Sequence, residues 1–141
     1  MQAMRNRTLV CVFAHPDDDA YGGAGTVALH ADEHDFRFVL VHATFGEGGD
    51  IRDGFPATRS TLGSIRRAED EAAWRALGRT PDRHEWLGLP DGAVADAPFD
   101  GVVAEVAQIL QQEDPAVVVT FGPDGIFGHP DHIAIGAATD Q

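Results

Sequence analysis

Four short apolar runs recur along the chain, at residues 8–14, 36–44, 85–89 and 116–121, and helix-patterned segments separate them. The first (TLVCVFA), second (FRFVLVHAT) and fourth (AVVVTF) runs are almost continuously apolar and rich in β-branched residues. Such runs suit strands buried on both faces, as in a parallel sheet. Between them a helix is predicted over residues 22–32, opening through glycines. A longer one starts from Ser60 or Thr61 and runs to Leu77, with Gly78 as its stop. A third spans residues 99–112, with Val102, Val103, Val106, Ile109 and Leu110 on its inner side, and another starts at Pro130. Strands alternating with helices predict an α/β domain, with a mostly parallel sheet covered on both faces and joined by right-handed crossovers.

With 141 residues the chain is expected to form one domain, residues 1–141, without repeat or linker. A chain of this size can bury a core without disulfides. The one cysteine, Cys11, lies inside the first apolar run and is expected to be a small buried thiol. The net charge of −13, with ten arginines and no lysine, argues against nucleic acid and anionic membranes as partners, since both need a positive footprint. No signal peptide is recognisable and no apolar run approaches the ~20 residues of a membrane span, so a soluble cytoplasmic protein is expected.

In open parallel sheets ligands bind beyond the carboxyl ends of the strands. Three polar clusters fall there. His15-Pro16-Asp17-Asp18-Asp19 follows the first run, Gly46-Glu47-Gly48-Gly49 the second, and Gly128-His129-Pro130-Asp131-His132 the fourth. His15 and Asp18, three apart in a tight loop, can face one ion, with His132 arriving from the far cluster. Two imidazoles and one carboxylate suit a catalytic zinc site with an open position for water.

Ala14-His15-Pro16-Asp17-Asp18-Asp19 and Gly128-His129-Pro130-Asp131-His132 resemble the two signature motifs of the PIG-L/LmbE family of zinc-dependent N-deacetylases. Thr44-Phe45-Gly46-Glu47-Gly48-Gly49, Arg66-Arg67-Ala68-Glu69 running into Ala76-Leu77-Gly78, and Leu87-Gly88-Leu89-Pro90-Asp91-Gly92 add matches in the same order. The resemblance implies a Rossmann-like three-layer α/β/α sandwich and hydrolysis of the N-acetyl group of an N-acetylglucosamine-type sugar. It puts Zn²⁺, or another divalent ion such as Fe²⁺, on His15, Asp18 and His132. Asp17 then matches the general base, and His129 the residue that assists the tetrahedral intermediate. Asp131 is expected to orient His129 or His132. Arg66 matches a substrate-binding arginine, and Glu47 and Asp91 are further candidates for substrate contact.

Other polar residues carry weaker expectations. Arg67 is expected to face solvent, Glu69 to pair with an arginine of its own helix, and Asp124 to serve a turn. His30, His34, His42 and His84 are expected to be surface or internally satisfied histidines. Two residues depart from the family pattern: Asp19 stands where glutamate is usual, and Phe127 where some members carry tyrosine. Family members usually run on well beyond the second motif. The chain is therefore expected to lack the C-terminal part, to keep metal binding better than sugar specificity, and to self-associate through apolar surface at the seam. Two other functions fit the same residues. His15, Asp17 and His132 formally satisfy the two-His-one-carboxylate triad of a non-haem iron oxygenase, and the chain could be a non-catalytic metal-binding remnant. A dinucleotide fold is disfavoured, because no G-x-G-x-x-G follows the first run.

Overall fold

The structure, a computed structural model, describes residues 6–141. Its four strands are β1 (Thr8–Phe13), β2 (Arg37–His42), β3 (Arg83–Trp86) and β4 (Val117–Val119), all parallel, in the order β3-β2-β1-β4. The helices are α1 (Asp18–Gly22), α2 (Ala24–Leu29), α3 (Leu62–Leu77), α4 (Phe99–Glu113), the distorted turn α5 (Gly125–Gly128) and α6 (Pro130–Thr139). The predicted α/β alternation is therefore present, with three local differences.

The first helix starts earlier than expected and is broken at Gly23, because the chain there lies flat on the sheet: a Cβ on Gly22 would stand 2.6 Å from the Phe13 ring. The third strand begins two residues before its predicted span and ends three residues short of it. Its Arg83 and Glu85 side chains pair with each other, and its backbone is in register with Val39–His42. The fourth strand keeps only three residues of its predicted six.

Register decides the faces. Cys11 pairs with Leu40 and Phe13 with His42; this layer meets α1, α2 and α3, with Phe38 against Trp74 at 4.9 Å between ring centroids. Val10, Val12, Val39 and Val41 point the other way, and Val106 and Ile135 of α4 and α6 complete the core. Cys11 is buried, and burial with the nearby Asp19 charge pushes its thiol pKa up to about 12.

The strand order has a functional consequence. From β1 the chain moves outward to β2 and β3, then returns across the sheet to place β4 on the other side of β1. The direction of winding reverses between β1 and β4, so the loops leaving these two strands diverge and open a crevice. Both histidine clusters follow these two strands.

Candidate metal centre

The loop leaving β1 is a tight turn. Asp18 donates its backbone N–H to the His15 carbonyl at 3.2 Å, and its carboxylate Oδ2 accepts the His15 backbone N–H at 2.8 Å. Closing this turn puts Asp17 at φ 121°, a region that L-residues rarely adopt and that costs about 1–3 kcal/mol. The loop leaving β4 brings His132 on the first turn of α6. Its ring is sandwiched between Phe121 (centroids 3.9 Å apart, planes within 2°) and His129 (4.6 Å).

The three expected ligands meet. His15 Nδ1 lies 3.2 Å from Asp18 Oδ2, His132 Nε2 lies 3.3 Å from Asp18 Oδ1, and the two imidazole nitrogens are 3.3 Å apart. Donors about 2.0–2.1 Å from a tetrahedral zinc ion stand about 3.3–3.4 Å from one another, close to each of these spacings, with Asp18 meeting the two rings through different carboxylate oxygens. The outer nitrogens fit as well. His15 Nε2 donates to Asp131 Oδ2 at 2.9 Å and lies 3.1 Å from Asp91 Oδ1, while His132 Nδ1 donates to the Gly125 carbonyl at 3.2 Å. With the outer N–H groups so engaged, the inner nitrogens of both rings face one point, where a cation would take the place of the His15 proton. Gly125 is required at its place, for it takes φ 58° and a Cβ there would meet Ile133 at 2.8 Å.

The electrostatics favour a cation. Burial alone would lower the His15 pKa, but hydrogen bonds to Asp18, Asp91 and Asp131 outweigh it and raise the value to about 10. Burial holds His132 below the usual imidazole range against the pull of Asp18. The residues present thus fit a divalent ion by size, tautomer and charge. Asp17 is not part of the triangle: the donor groups around His15 are His15, Asp18 and His132, and His15, His129 and Asp131. The carboxylate arrangement needed for the oxygenase alternative, with Asp17 as ligand, is not the one observed.

Asp17 stands beside the triangle with its side chain 55% exposed and accepts from Arg66 Nη2 at 2.9 Å. Burial of its carboxyl and the Asp18 charge raise its pKa, and Arg66 opposes them. His15, Asp17, Arg66, Asp91 and His129 line a cleft of about 330 Å³. His129 caps α6, its Nδ1 accepting the Asp131 backbone N–H at 3.1 Å, so Nε2 is the nitrogen free to carry a proton. A second, larger cleft of about 670 Å³ on the other side of His15 includes Tyr21, Val119, Ile126 and Phe127.

Several side chains have tasks other than those expected. Asp131 is fully buried and turned toward His15, not toward the ring of His129 or His132, because the backbone N–H groups of Gly92 (2.7 Å) and Val94 (3.0 Å) fix its carboxylate. Glu47 accepts from the backbones of Phe45 (3.2 Å) and Asp91 (2.9 Å), and Asp91 accepts from Gly48 (2.7 Å), so the two acids lace the glycine loop to the turn after β3. Arg66 donates to the Pro16 carbonyl at 2.7 Å as well as to Asp17 and Glu69, clamping the Asp17 loop. Arg67 does not face solvent; its guanidinium lies 5.1 Å from the Phe45 and the Trp86 ring centroids.

Asp19 supports the first loop despite its shorter reach, accepting from Asp17 N, His42 Nε2 and Trp74 Nε1. Asp124 accepts from the Ile126 backbone in its turn, as expected. His34 is exposed and His30 bonds Glu33, whereas His42 and His84 are held inside. Asp91 as a partner of His15 escaped sequence reasoning, since Pro-Asp-Gly is also an ordinary turn. Its place after β3, on the rim shared by the other clusters, was the available signal.

A family model described as PIG-L, GlcNAc-PI de-N-acetylase, matches residues 10–141. The 1D-myo-inositol 2-acetamido-2-deoxy-alpha-D-glucopyranoside deacetylase 2 of Saccharopolyspora erythraea is 39% identical over 147 residues, covering 90% of this chain and 53% of the relative. The corresponding deacetylase of Rhodococcus erythropolis is 35% identical, with 94% and 51% covered. Among solved structures, the N,N'-diacetylchitobiose deacetylase from Pyrococcus horikoshii superposes with a TM-score of 0.76 at 29% identity, over 94% of this chain and 48% of that one. The chain spans about half the length of the relatives it matches.

Proposed function

The chain belongs to the PIG-L family, and from that membership we propose that it carries the metal-holding part of an amide hydrolase that removes the N-acetyl group of a glucosamine-type sugar. His15, Asp18 and His132 would hold the ion, with zinc the first choice for an N₂O donor set of this size. When bound, such an ion acts as a Lewis acid that lowers the pKa of water from about 15.7 to about 7.

The other steps belong to this chain's own side chains. Asp17, raised in basicity and open to the cleft, accepts the proton of the attacking water. Arg66 keeps its carboxylate beside the triangle. His129 faces the developing oxyanion with the nitrogen that α6 leaves free, and a donor so placed contributes about 3 kcal/mol. The same proton can pass to the leaving amine. Asp91 and Asp131 hold the His15 ring so that its lone pair stays on the ion. Glu47 and Asp91, by lacing the two loops together, shape the wall against which the sugar would lie.

The observation that carries this proposal is the 3.2–3.3 Å triangle with its outer N–H groups engaged. The names of the relatives in Saccharopolyspora and Rhodococcus favour an N-acetylglucosaminyl inositol, and that of the Pyrococcus enzyme a chito-oligosaccharide. The test is release of free amine from both substrates, with Zn²⁺ and after dialysis against a chelator. Amine release that disappears with the metal and returns on its addition is expected. Stoichiometric zinc with no amine from either substrate would instead favour the non-catalytic metal-binding alternative.

A further inference from the structure

A second nest of metal-ligating side chains lies within the layer between the sheet and α3. His42 ends β2, His84 lies on β3, and Asp70 comes from the middle of α3. His42 Nδ1 is 2.9 Å from His84 Nε2, and His84 Nε2 is 3.9 Å from Asp70 Oδ2. One donor atom from each of the three lies within 4.8 Å of the other two. The side chains of His42 and Asp70 are 0% and 3% exposed, and that of His84 is 16% exposed.

Asp70 Oδ2 is the telling atom. It is buried and has no hydrogen-bond partner. An orphaned carboxylate oxygen costs a few kcal/mol unless something positive meets it. The carboxylate next to it, Asp19, accepts from Trp74 and from His42 Nε2, which leaves His42 Nδ1 turned toward His84, while His42 Nε2 lies 3.9 Å from Asp70 Oδ1. The arrangement repeats the logic of the first centre, with a histidine whose outer N–H is held by an acid and whose inner nitrogen faces other donors.

We propose that this nest is a second divalent-cation site, in which His42, His84 and Asp70 hold a zinc-class ion that staples α3 to the β2–β3 edge of the sheet. The N₂O set without sulfur selects a borderline first-row ion over Ca²⁺ or Mg²⁺. Loading it requires the His42–His84 pair at 2.9 Å to part and the His84–Asp70 pair at 3.9 Å to close, each by about half an ångström, with His42 and Asp70, whose donor atoms lie within 4.8 Å, drawn to the same ~3.4 Å edge of a tetrahedral site. Two positive charges balance Asp19 and Asp70. In the absence of an ion, burial, the Asp19 charge and a hydrogen bond to Asp19 raise Asp70 to about 8, and a cation at Oδ2 would displace that proton. The site shares no ligand with the first centre, although Asp19 bonds both His42 Nε2 and the backbone N–H of Asp17.

The chain contains a natural reporter. Its two tryptophans both belong to this nest: Trp74 bonds Asp19, and Trp86 stacks on His42 (4.5 Å) and on His84 (4.4 Å). Co²⁺, whose open d shell quenches tryptophan emission at contact distance, is therefore the probe. Titration of metal-free wild-type chain should give two Co²⁺ per chain, with a fluorescence quench that follows one of them. His15→Ala should drop to one ion and keep the quench; His84→Gln should drop to one ion and lose it. In the His15→Ala chain the remaining ion should still raise Tm, because it binds only the folded state. A single ion per wild-type chain, or a quench that vanishes with His15→Ala, overturns the proposal. The wild-type and His15→Ala titrations leave the nest unaltered, so they decide the matter even where His84→Gln fails to fold.

Discussion

Asp131 Oδ2 lies 2.9 Å from His15 Nε2, across 116 residues of chain. The contact joins the two histidine loops through a buried acid, and its other bonds, to the N–H groups of Gly92 and Val94, anchor it to the loop after β3. Oδ2 serves both His15 Nε2 and the Gly92 N–H, and Oδ1 the Val94 N–H, so Asn at this place must turn its amide N–H groups either on Val94 or on His15 and Gly92 together, and in both cases loses the charge that holds the ring. Asp131→Asn is therefore expected to weaken zinc binding about 10–100-fold, the usual loss when the partner of a ligating histidine is removed. Competition against a chromophoric chelator measures it, and an affinity within twofold of wild type would remove Asp131 from the ligand-holding role.

Asp17 is the neighbour of a ligand yet outside the triangle, paired instead with Arg66 at 2.9 Å. Asp17→Asn keeps the side chain's size and one acceptor for Arg66, but loses the basicity. The expected result is unchanged zinc content with kcat lowered about 10²–10⁴-fold, the range for a missing general base. Metal analysis and turnover on the same preparation separate the two effects. A kcat close to wild type means that another group takes the proton.

Much of this was legible in the sequence because it rests on local pattern. Continuous apolar runs gave the parallel strands, and a histidine–aspartate cluster at the end of β1 and another beyond β4 placed His15, Asp18 and His132 on one rim. What the pattern could not carry was partner choice. Asp131 turns to His15 because backbone donors from a third loop fix it, a relation between residues 39 and 116 positions apart. Arg67 has the charge of a surface residue, but two aromatic faces, Phe45 and Trp86, receive its guanidinium. His42 and His84 carry no motif at all; only the β2–β3 register brings them together, His84 beside Leu40 and His42 beside Trp86.

Asp82 fastens the start of β2. Its Oδ2 accepts the Phe38 backbone N–H at 2.7 Å and an Arg79 N–H at 2.6 Å. Burial would raise its pKa, but these donors outweigh it and hold the carboxyl below its ordinary 3.8. A carboxyl depressed in the folded state contributes stability above its unfolded pKa and loses it as pH falls through the lower folded value. Asp82→Asn should cost about 1 kcal/mol near neutrality, a modest figure because the side chain is 36% exposed. Urea midpoints of variant and wild type should then converge as pH falls from about 5 to about 2. A gap that stays constant over that range contradicts the assigned charge state.

Gly136 sits where α6 crosses the exit of β4, and a Cβ there would stand 2.5 Å from the Phe121 carbonyl oxygen and 3.2 Å from its carbon. Both obstacles are backbone, so the helix must move rather than a side chain. Overpacking of this kind costs about 1–3 kcal/mol. The displacement also has a chemical consequence, because His132 lies one turn earlier on the same face of α6 and stacks on the Phe121 ring. Gly136→Ala should therefore lower Tm and zinc affinity together. Gly25→Ala is the control: in the first turn of α2 nothing lies within 4 Å of the added Cβ, and alanine is the better helix former, by up to about 1 kcal/mol. Thermal melts with and without zinc on the two variants should move in opposite directions. A Gly136→Ala chain that melts like wild type and binds zinc equally well would mean that the α6–Phe121 contact does not set the position of His132.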